Sequence, residues 1–285
     1  MRFVRFAPWL WLSPVGAVFI PFFAIPLIII LRNSLFHDDP FGTIVPDLTA
    51  ANYVKVLSDP YYLGVFVHTM VAAFGITILA LIVAYPSSWA IARAVGRTRT
   101  VLLWAVYLPI YVSVIMRVFG WIVFIADSGM INRALLSSGL IHEPIRMINE
   151  VTGMTIGLAH RYLPFMILPL VTAMRKVDDT MLRASQNLGA GRKLTWWRVV
   201  LPISLPGAVA GAQLVFAGVL SDYVIPMLMG TPSYQLMAPA IYYEATTNSS
   251  WALAGAMAAL VMLLVGFFLL AANMALRRLA PWTSL

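Results

Sequence analysis

The chain alternates between long apolar runs and short polar interruptions. Six runs stand out, at about residues 9–31, 63–91, 101–126, 153–174, 205–229 and 251–276. Each is near the roughly 20 residues that an α-helix needs to cross a bilayer. Membrane β-strands alternate apolar and polar positions, and these runs do not. The pattern predicts an all-α polytopic membrane protein with six transmembrane helices. The first run follows "MRFVRF" but is longer than a typical signal-peptide core and lacks a clear small-x-small cleavage site. It reads as an uncleaved span. No long polar linker, repeat or low-complexity tract divides the chain, which reads as one membrane domain over 1–285.

Composition strengthens this picture. The chain is 61% hydrophobic and 11% charged, too few charges to wet a globular surface. It has no cysteine, which excludes disulfides, thiol catalysis and cysteine metal sites. The charges sort by side. Residues 1–8, 93–100, 175–204 and 277–285 hold 13 of the 19 Lys and Arg and 2 of the 11 acids. The alternate segments, 32–62, 127–152 and 230–250, hold 4 basic residues and 8 acids. The positive-inside rule then puts both termini in the cytoplasm. The net charge of +8 needs no nucleic acid to explain it.

The basic segment at 175–204 is unusually punctuated. "RKVDDTMLRASQNLGAGRKLTWWRVVLPISLPG" parses as helix, turn, helix. Asp178 or Asp179 can cap the first helix, because a carboxylate there accepts orphan amides and complements the helix dipole. Met181, Leu182, Ser185 and Leu188 fall at helical spacing. Gly189 fits the left-handed position after a helix end. Leu194 to Val200 can form a second short helix, with Trp196 and Trp197 at headgroup level. Pro202 and Pro206 lack amide donors and are expected to break or kink the fifth run where it begins. On the residues alone this is either an amphipathic loop anchored by tryptophans or a docking element.

The spacing resembles the signature loop of binding-protein-dependent ABC importer permeases: Glu-Ala-Ala, three residues, Gly, nine residues, Ile-x-Leu-Pro. Arg183-Ala184-Ser185 stand for the first three, followed by three residues and Gly189. Nine residues later come Val199, Val200, Leu201 and Pro202. "RYLPFMILPLVTAMRKVDDTML", "LVFAGVLSDYVIPMLMG" and "MRVFGWIVFIADSGMINRALLSSGLIHEPIRMI" are similar to the B-type permeases of spermidine/putrescine importers. The resemblance covers most of the chain and is weakest before Val54. It implies a type I ABC importer permease (MetI-like) fold in the bacterial inner membrane. It also implies a second homologous permease subunit in a heterodimer, two cytoplasmic ATPase subunits and an extracytoplasmic substrate-binding protein. The loop would be the coupling helix that docks in the ATPase, with Met181, Leu182 and Leu188 as its apolar contact. Arg183 departs from the family's Glu, Ser185 from its second Ala, and Gly191 stands where bulkier residues are common.

Catalytic signatures are missing. There is no Gly-x4-Gly-Lys-[Ser/Thr] phosphate loop, so ATP and Mg are expected in the partner ATPase, with no cofactor on this chain. No zincin, Gly-x-Ser-x-Gly or dinucleotide motif occurs, which disfavours an intramembrane enzyme. His37, His68, His142 and His160 are scattered and predict no metal site.

Arg117, Arg161 and Asp222 lie in apolar runs, where a charge costs roughly 2.5–3.5 kcal/mol on insertion scales. Asp222, with Tyr223, Tyr162 and Glu244, offers charge and cation–π contact to a polyamine. Alternatively, Asp222 pairs with Arg117 or Arg161 and fixes helix register. Two buried arginines repel a cation and suit a carboxylate- or phosphate-bearing solute such as an amino acid or opine. An ion-coupled secondary transporter would need more intramembrane carboxylates and inverted repeats. Prolines 14, 21, 26, 86, 109, 164, 169 and 226 within the runs are consistent with a gated bundle.

Overall fold

A computed structural model describes residues 7–39 and 43–279. The chain is helical apart from one two-residue β-pairing among these residues. Among the described residues, six stretches are long and apolar enough to cross a membrane: Ser13–Asn33, Pro60–Arg93, Val114–Ser137, Val151–Met174, Arg192–Ser221 and Trp251–Arg278. The number matches the sequence pattern, and two boundaries differ for local reasons. The chain divides into two compact units. One comprises the chain up to Leu63 with Ala240–Met262; the other comprises Gly64–Pro239 with the chain from Leu263.

The first unit starts with α1 (Ala7–Phe19), a wide π-turn (Ile20–Ala24) and α2 (Ile25–Asn33). Strands β1 (His37–Asp38) and β2 (Ile44–Val45) pair antiparallel, His37 opposite Val45. Helix α3 (Ala51–Ser58) follows. Polar side chains tie these pieces together. Buried Asn52 donates to the carbonyls of Ser34 (3.1 Å) and Phe36 (2.8 Å). The Ser34 and Tyr53 hydroxyls lie 2.6 Å apart. The Asp38 carboxylate accepts the amides of Ala252 and Leu253 at 3.0–3.1 Å. These are orphan donors in the first turn of the last helix, α14 (Trp251–Leu279), so Asp38 caps it from 214 residues away.

The second unit is built on α4 (Pro60–Arg93), α5 (Gly96–Tyr111), α6 (Val114–Ile125), α7 (Met130–Ser137) and α8 (Val151–Met174). After them come α9 (Asp179–Asn187), α10 (Arg192–Thr195), a second π-turn (Trp196–Val200), α11 (Leu201–Ser221) and α12 (Val224–Met229). Helix α13 (Met237–Thr246) then precedes α14. In lipid the apolar effect does not drive helices together, so close packing must. Gly207, Gly211 and Gly218 line one face of α11 against α8. A Cβ at Gly207 would stand 2.5 Å from the Pro169 carbonyl oxygen. At Gly211 it would stand 2.7 Å from the Met166 sulfur, and at Gly218 2.2 Å from the Tyr162 ring. Met166 and Leu170 of α8 and Val215 of α11 are buried, and Phe216, on the far side of α11 from the glycines, stacks on Phe268 at 3.8 Å.

Two expectations need correction. The run at 101–126 is not one helix: Val112 and Ser113 are extended (ψ 135° and 138°) and separate α5 from α6. A β-branched residue followed by serine is a weak helix interior and a good helix start. The run at 205–229 starts earlier and stops earlier. The helix runs from Arg192 to Ser221, then breaks where Asp222 turns extended (φ −74°, ψ 117°). Pro202 and Pro206 do not break it. The π-turn before Pro202 carries a Leu201 amide bond to the Trp196 carbonyl, one residue longer than an α-turn. That extra width relieves the clash a proline ring makes with the preceding turn.

Candidate functional site

The basic loop forms a braced unit. Helix α8 ends at Met174 and Val177 is buried beneath the turn. Asp178 takes the N-cap position of α9 with extended backbone (φ −79°, ψ 152°). Its carboxylate accepts the Thr180 hydroxyl at 2.8 Å, where a helix amide was expected. That hydrogen bond from Thr180 holds the exposed Asp178 carboxyl below its usual value. Asp179 pairs with Arg93 at the end of α4. Arg93 also donates to the Val177 carbonyl at 3.3 Å and lies 4.5 Å over the Trp89 ring. One arginine thus clamps the start of α9 from a neighbouring span.

The other end of α9 closes on Gly189 at φ +83°. The Gly189 amide donates to the Gln186 carbonyl (2.9 Å) and the Ala190 amide to the Ser185 carbonyl (3.1 Å). This is the paired closure of a Schellman motif, which needs a left-handed residue at that position. The Ser185 and Thr195 hydroxyls lie 3.0 Å apart and tie α9 to α10. Trp196 packs edge-on against Trp89 and Tyr85 of α4, and Tyr85 bonds the Ser204 hydroxyl. Val199 lies in the π-turn, and Leu201 and Pro202 open α11. Through them α10 runs continuously into α11, while the turn at residues 188–191 joins α9 to α10.

Among the polar residues that α9 leaves exposed, Asp179, Thr180, Arg183, Gln186 and Asn187, runs one apolar stripe. Met181, Ala184 and Leu188 are exposed, Leu188 at 88%, and their i, i+3, i+7 spacing puts them on one face. Leu182 and Ser185 are half-buried on the inward side, so Leu182 contributes less to the outer face than its spacing promised. Arg183 is exposed and lies about 200° around the helix from Met181. It makes no ion pair among the described residues.

A second cluster joins α6, α8 and the end of α11. Asp222 is 3% exposed. One of its oxygens lies 3.3 Å from Arg161 Nε and 3.0 Å from the Tyr162 hydroxyl; the other accepts the Ile225 amide at 3.2 Å. Tyr162 is placed by Gly218, which gives its ring room and whose carbonyl shares the hydroxyl proton at 2.7 Å. The carboxylate therefore pairs with Arg161 and not with Arg117. Arg117 Nε and Arg161 Nη1 are buried without a hydrogen-bond acceptor among the described residues. Trp121, one turn after Arg117, meets His160 edge-on at 5.5 Å. Tyr223 links α11 to α12. Glu244, on α13, belongs to the first unit and is buried there. Its two oxygens accept the Tyr62 hydroxyl (2.8 Å) and the Asn248 amide (2.9 Å).

Sequence reasoning missed the braces. Arg93 reads from sequence as one more topological charge, and Thr195, Tyr85 and Ser204 carry no local signal. Trp89 and Trp196 do: tryptophans near the same membrane face are candidates to meet.

Residues 84–280 match the family model described as "Binding-protein-dependent transport system inner membrane component". The spermidine/putrescine transport system permease protein PotB of Haemophilus influenzae is 30% identical over 260 residues, covering 90% of this chain and 91% of that protein. PotB of Escherichia coli K12 is 29% identical over 249 residues, covering 87% and 90%. The putative 2-aminoethylphosphonate transport system permease protein PhnU of Salmonella paratyphi A is 22% identical, covering 92% and 89%. A bacterial alginate ABC transporter solved in complex with an alginate-bound periplasmic protein contains a chain of the same fold. Its TM-score is 0.78 at 16% identity, covering 96% and 94%. The loop spacing, the six apolar helices and these matches converge: the chain belongs to the binding-protein-dependent ABC transporter permeases, non-catalytic multi-pass subunits of the bacterial inner membrane.

Proposed function

We propose that this chain is the membrane path of an ATP-driven importer of a small polar solute, and that α9 is the element its ATPase grips. The observation that carries the reading is α9 itself. It is a short helix braced at both ends, tied through the Ser185–Thr195 contact to α10 and so to a long span, and it carries an exposed apolar stripe of Met181, Ala184 and Leu188. Such a helix moves as a body and transmits ATPase closure into the spans. The complex comprises a second homologous permease as heterodimer partner, two cytoplasmic ATPase subunits that bind ATP with Mg, and an extracytoplasmic binding protein. Arg183 lies outside the apolar stripe and faces water or the rim of the docked ATPase.

The PotB relatives support a polyamine as the solute. In that reading Asp222, Tyr162 and Tyr223 supply charge and ring faces along the path. One observation favours a second reading, a solute with an acidic group. Asp222 is already engaged, and Arg117 has no carboxylate of its own.

Replacing Leu188 with Asp tests the docking role. An apolar side chain of this size contributes about 1.5–3 kcal/mol when buried, so ATPase co-purification is expected to weaken at least tenfold with helical content unchanged. Unaltered co-purification and unaltered substrate-stimulated ATP hydrolysis would remove α9 from the interface. Uptake by this chain alone in liposomes under a proton gradient would replace the importer reading with a secondary transporter.

A further inference from the structure

The cluster at α6 and α8 has more cation than its own anion can answer. Arg117 and Arg161 face one carboxylate, and every short contact of that carboxylate is accounted for within the cluster. Arg117 Nε and Arg161 Nη1 remain as buried donors with no acceptor among the described residues. Buried charged donors carry the full desolvation penalty unless something accepts from them. Both arginines line one small pocket of about 10 Å³, shared with Trp121, Gly157, His160 and Ile225. That volume holds about one oxygen-sized atom. Arg117, Trp121 and His160 also line a larger, open hollow of about 320 Å³, with Gly120 and Phe124. A cavity that size takes the body of a small solute.

We infer that Arg117 and Arg161 form a transmembrane subsite for the acidic group of the transported solute, a carboxylate or phosphonate on a small molecule. One acid oxygen enters the small pocket between the two guanidiniums, and the rest of the solute lies in the larger open hollow against Trp121 and Phe124. Asp222 and Tyr162 hold Arg161 in position; they do not contact the acid group. This deepens the second substrate reading and rests on the chain being a permease. A solute that also carries an amine fits as well, provided the acid end is the one held here.

The test uses the assembled transporter in nanodiscs without its binding protein, at constant ionic strength. The probe is fluoroacetate, a small carboxylate followed by fluorine NMR line broadening, with methylphosphonate and spermidine as competitors. Expected are saturable fluoroacetate binding, competition by methylphosphonate and none by spermidine. Arg117→Gln is expected to weaken binding about tenfold or more. Its Tm should be no lower than that of the wild type, because Arg117 Nε gives up no protein partner. Arg161→Lys, which keeps the charge beside Asp222, should weaken binding without unfolding the cluster. Absent saturable binding overturns the subsite. So does equal binding by Arg117→Gln, or a fall in its Tm with binding unchanged, which marks a structural arginine. A complex that hydrolyses ATP yet binds no fluoroacetate overturns the subsite alone. Uptake that proceeds without the ATPase overturns the importer reading, and the binding measurement still decides the site.

Discussion

Replacing Gly189 with Val isolates the backbone geometry on which α9, the proposed docking helix, depends. A Cβ at this position meets nothing within 4 Å, so the substitution introduces no steric clash with neighbours. The strain is local: φ is +83°, a region that costs an L-residue about 1–2 kcal/mol and a β-branched one at least as much. The chain has one escape, which is to leave that region and give up the two closing hydrogen bonds at 2.9 and 3.1 Å. Each is worth about 0.5–1.5 kcal/mol net, so escape costs a similar amount. Either route destabilises the end of α9 by about 1–2 kcal/mol, a factor of roughly 5–30 in the local equilibrium. The whole protein stays folded. Hydrogen exchange at residues 185–195 in the assembled complex should accelerate by about that factor, and substrate-stimulated ATP hydrolysis should fall while basal hydrolysis persists. Gly189→Asn is the control, because asparagine tolerates left-handed backbone; it should retain most of the coupling. Equal exchange rates in wild type and Gly189→Val would refute the reasoning, as would an Asn variant as impaired as the Val variant.

Two further substitutions address the packing behind the sites. Gly218→Ala places a Cβ where the Tyr162 ring now lies, 2.2 Å away. Displacing that ring breaks its contacts with Asp222 and should cost about 1–3 kcal/mol, read as a lower Tm; an unchanged Tm would mean that α8 and α11 separate freely. Asp38→Ala removes the cap on α14 and should cost about 0.5–2 kcal/mol, with faster exchange confined to the amides of Ala252 and Leu253. Global acceleration instead would show that Asp38 supports more than a helix end.

The parts of this architecture that were legible in sequence are those written locally. Apolar run length announced six spans, and Gly189 announced the end of α9 because few other residues adopt its backbone. Asp178 was legible as a helix start, although its cap goes to Thr180. What escaped was written at a distance. Asp38 caps α14, Arg93 clamps α9 and Tyr85 bonds Ser204, and none of these pairings leaves a periodic trace in the chain. The expected break at Pro202 failed for a different reason. Proline disrupts an α-turn, and the chain answers by changing the turn. The intramembrane charges were legible as a cluster, but the choice of Arg161 over Arg117 for Asp222 depends on where Gly218 lets Tyr162 stand.

The two π-turns share a layout. In one, Ile25 bonds to the Ile20 carbonyl and Pro26 comes next; in the other, Leu201 bonds to Trp196 and Pro202 comes next. A turn one residue wider shifts everything downstream by about 100° around the helix axis. A wide turn can ordinarily creep along a helix by exchanging one hydrogen bond for another. To creep toward the C-terminus here it would need an amide proton from the proline, which has none. Each proline thus acts as a stop that fixes rotational phase. In the second case the phase concerned relates the tryptophan anchor to the Gly207, Gly211 and Gly218 face, so the angular setting between the basic loop and the membrane seam is held by a missing proton.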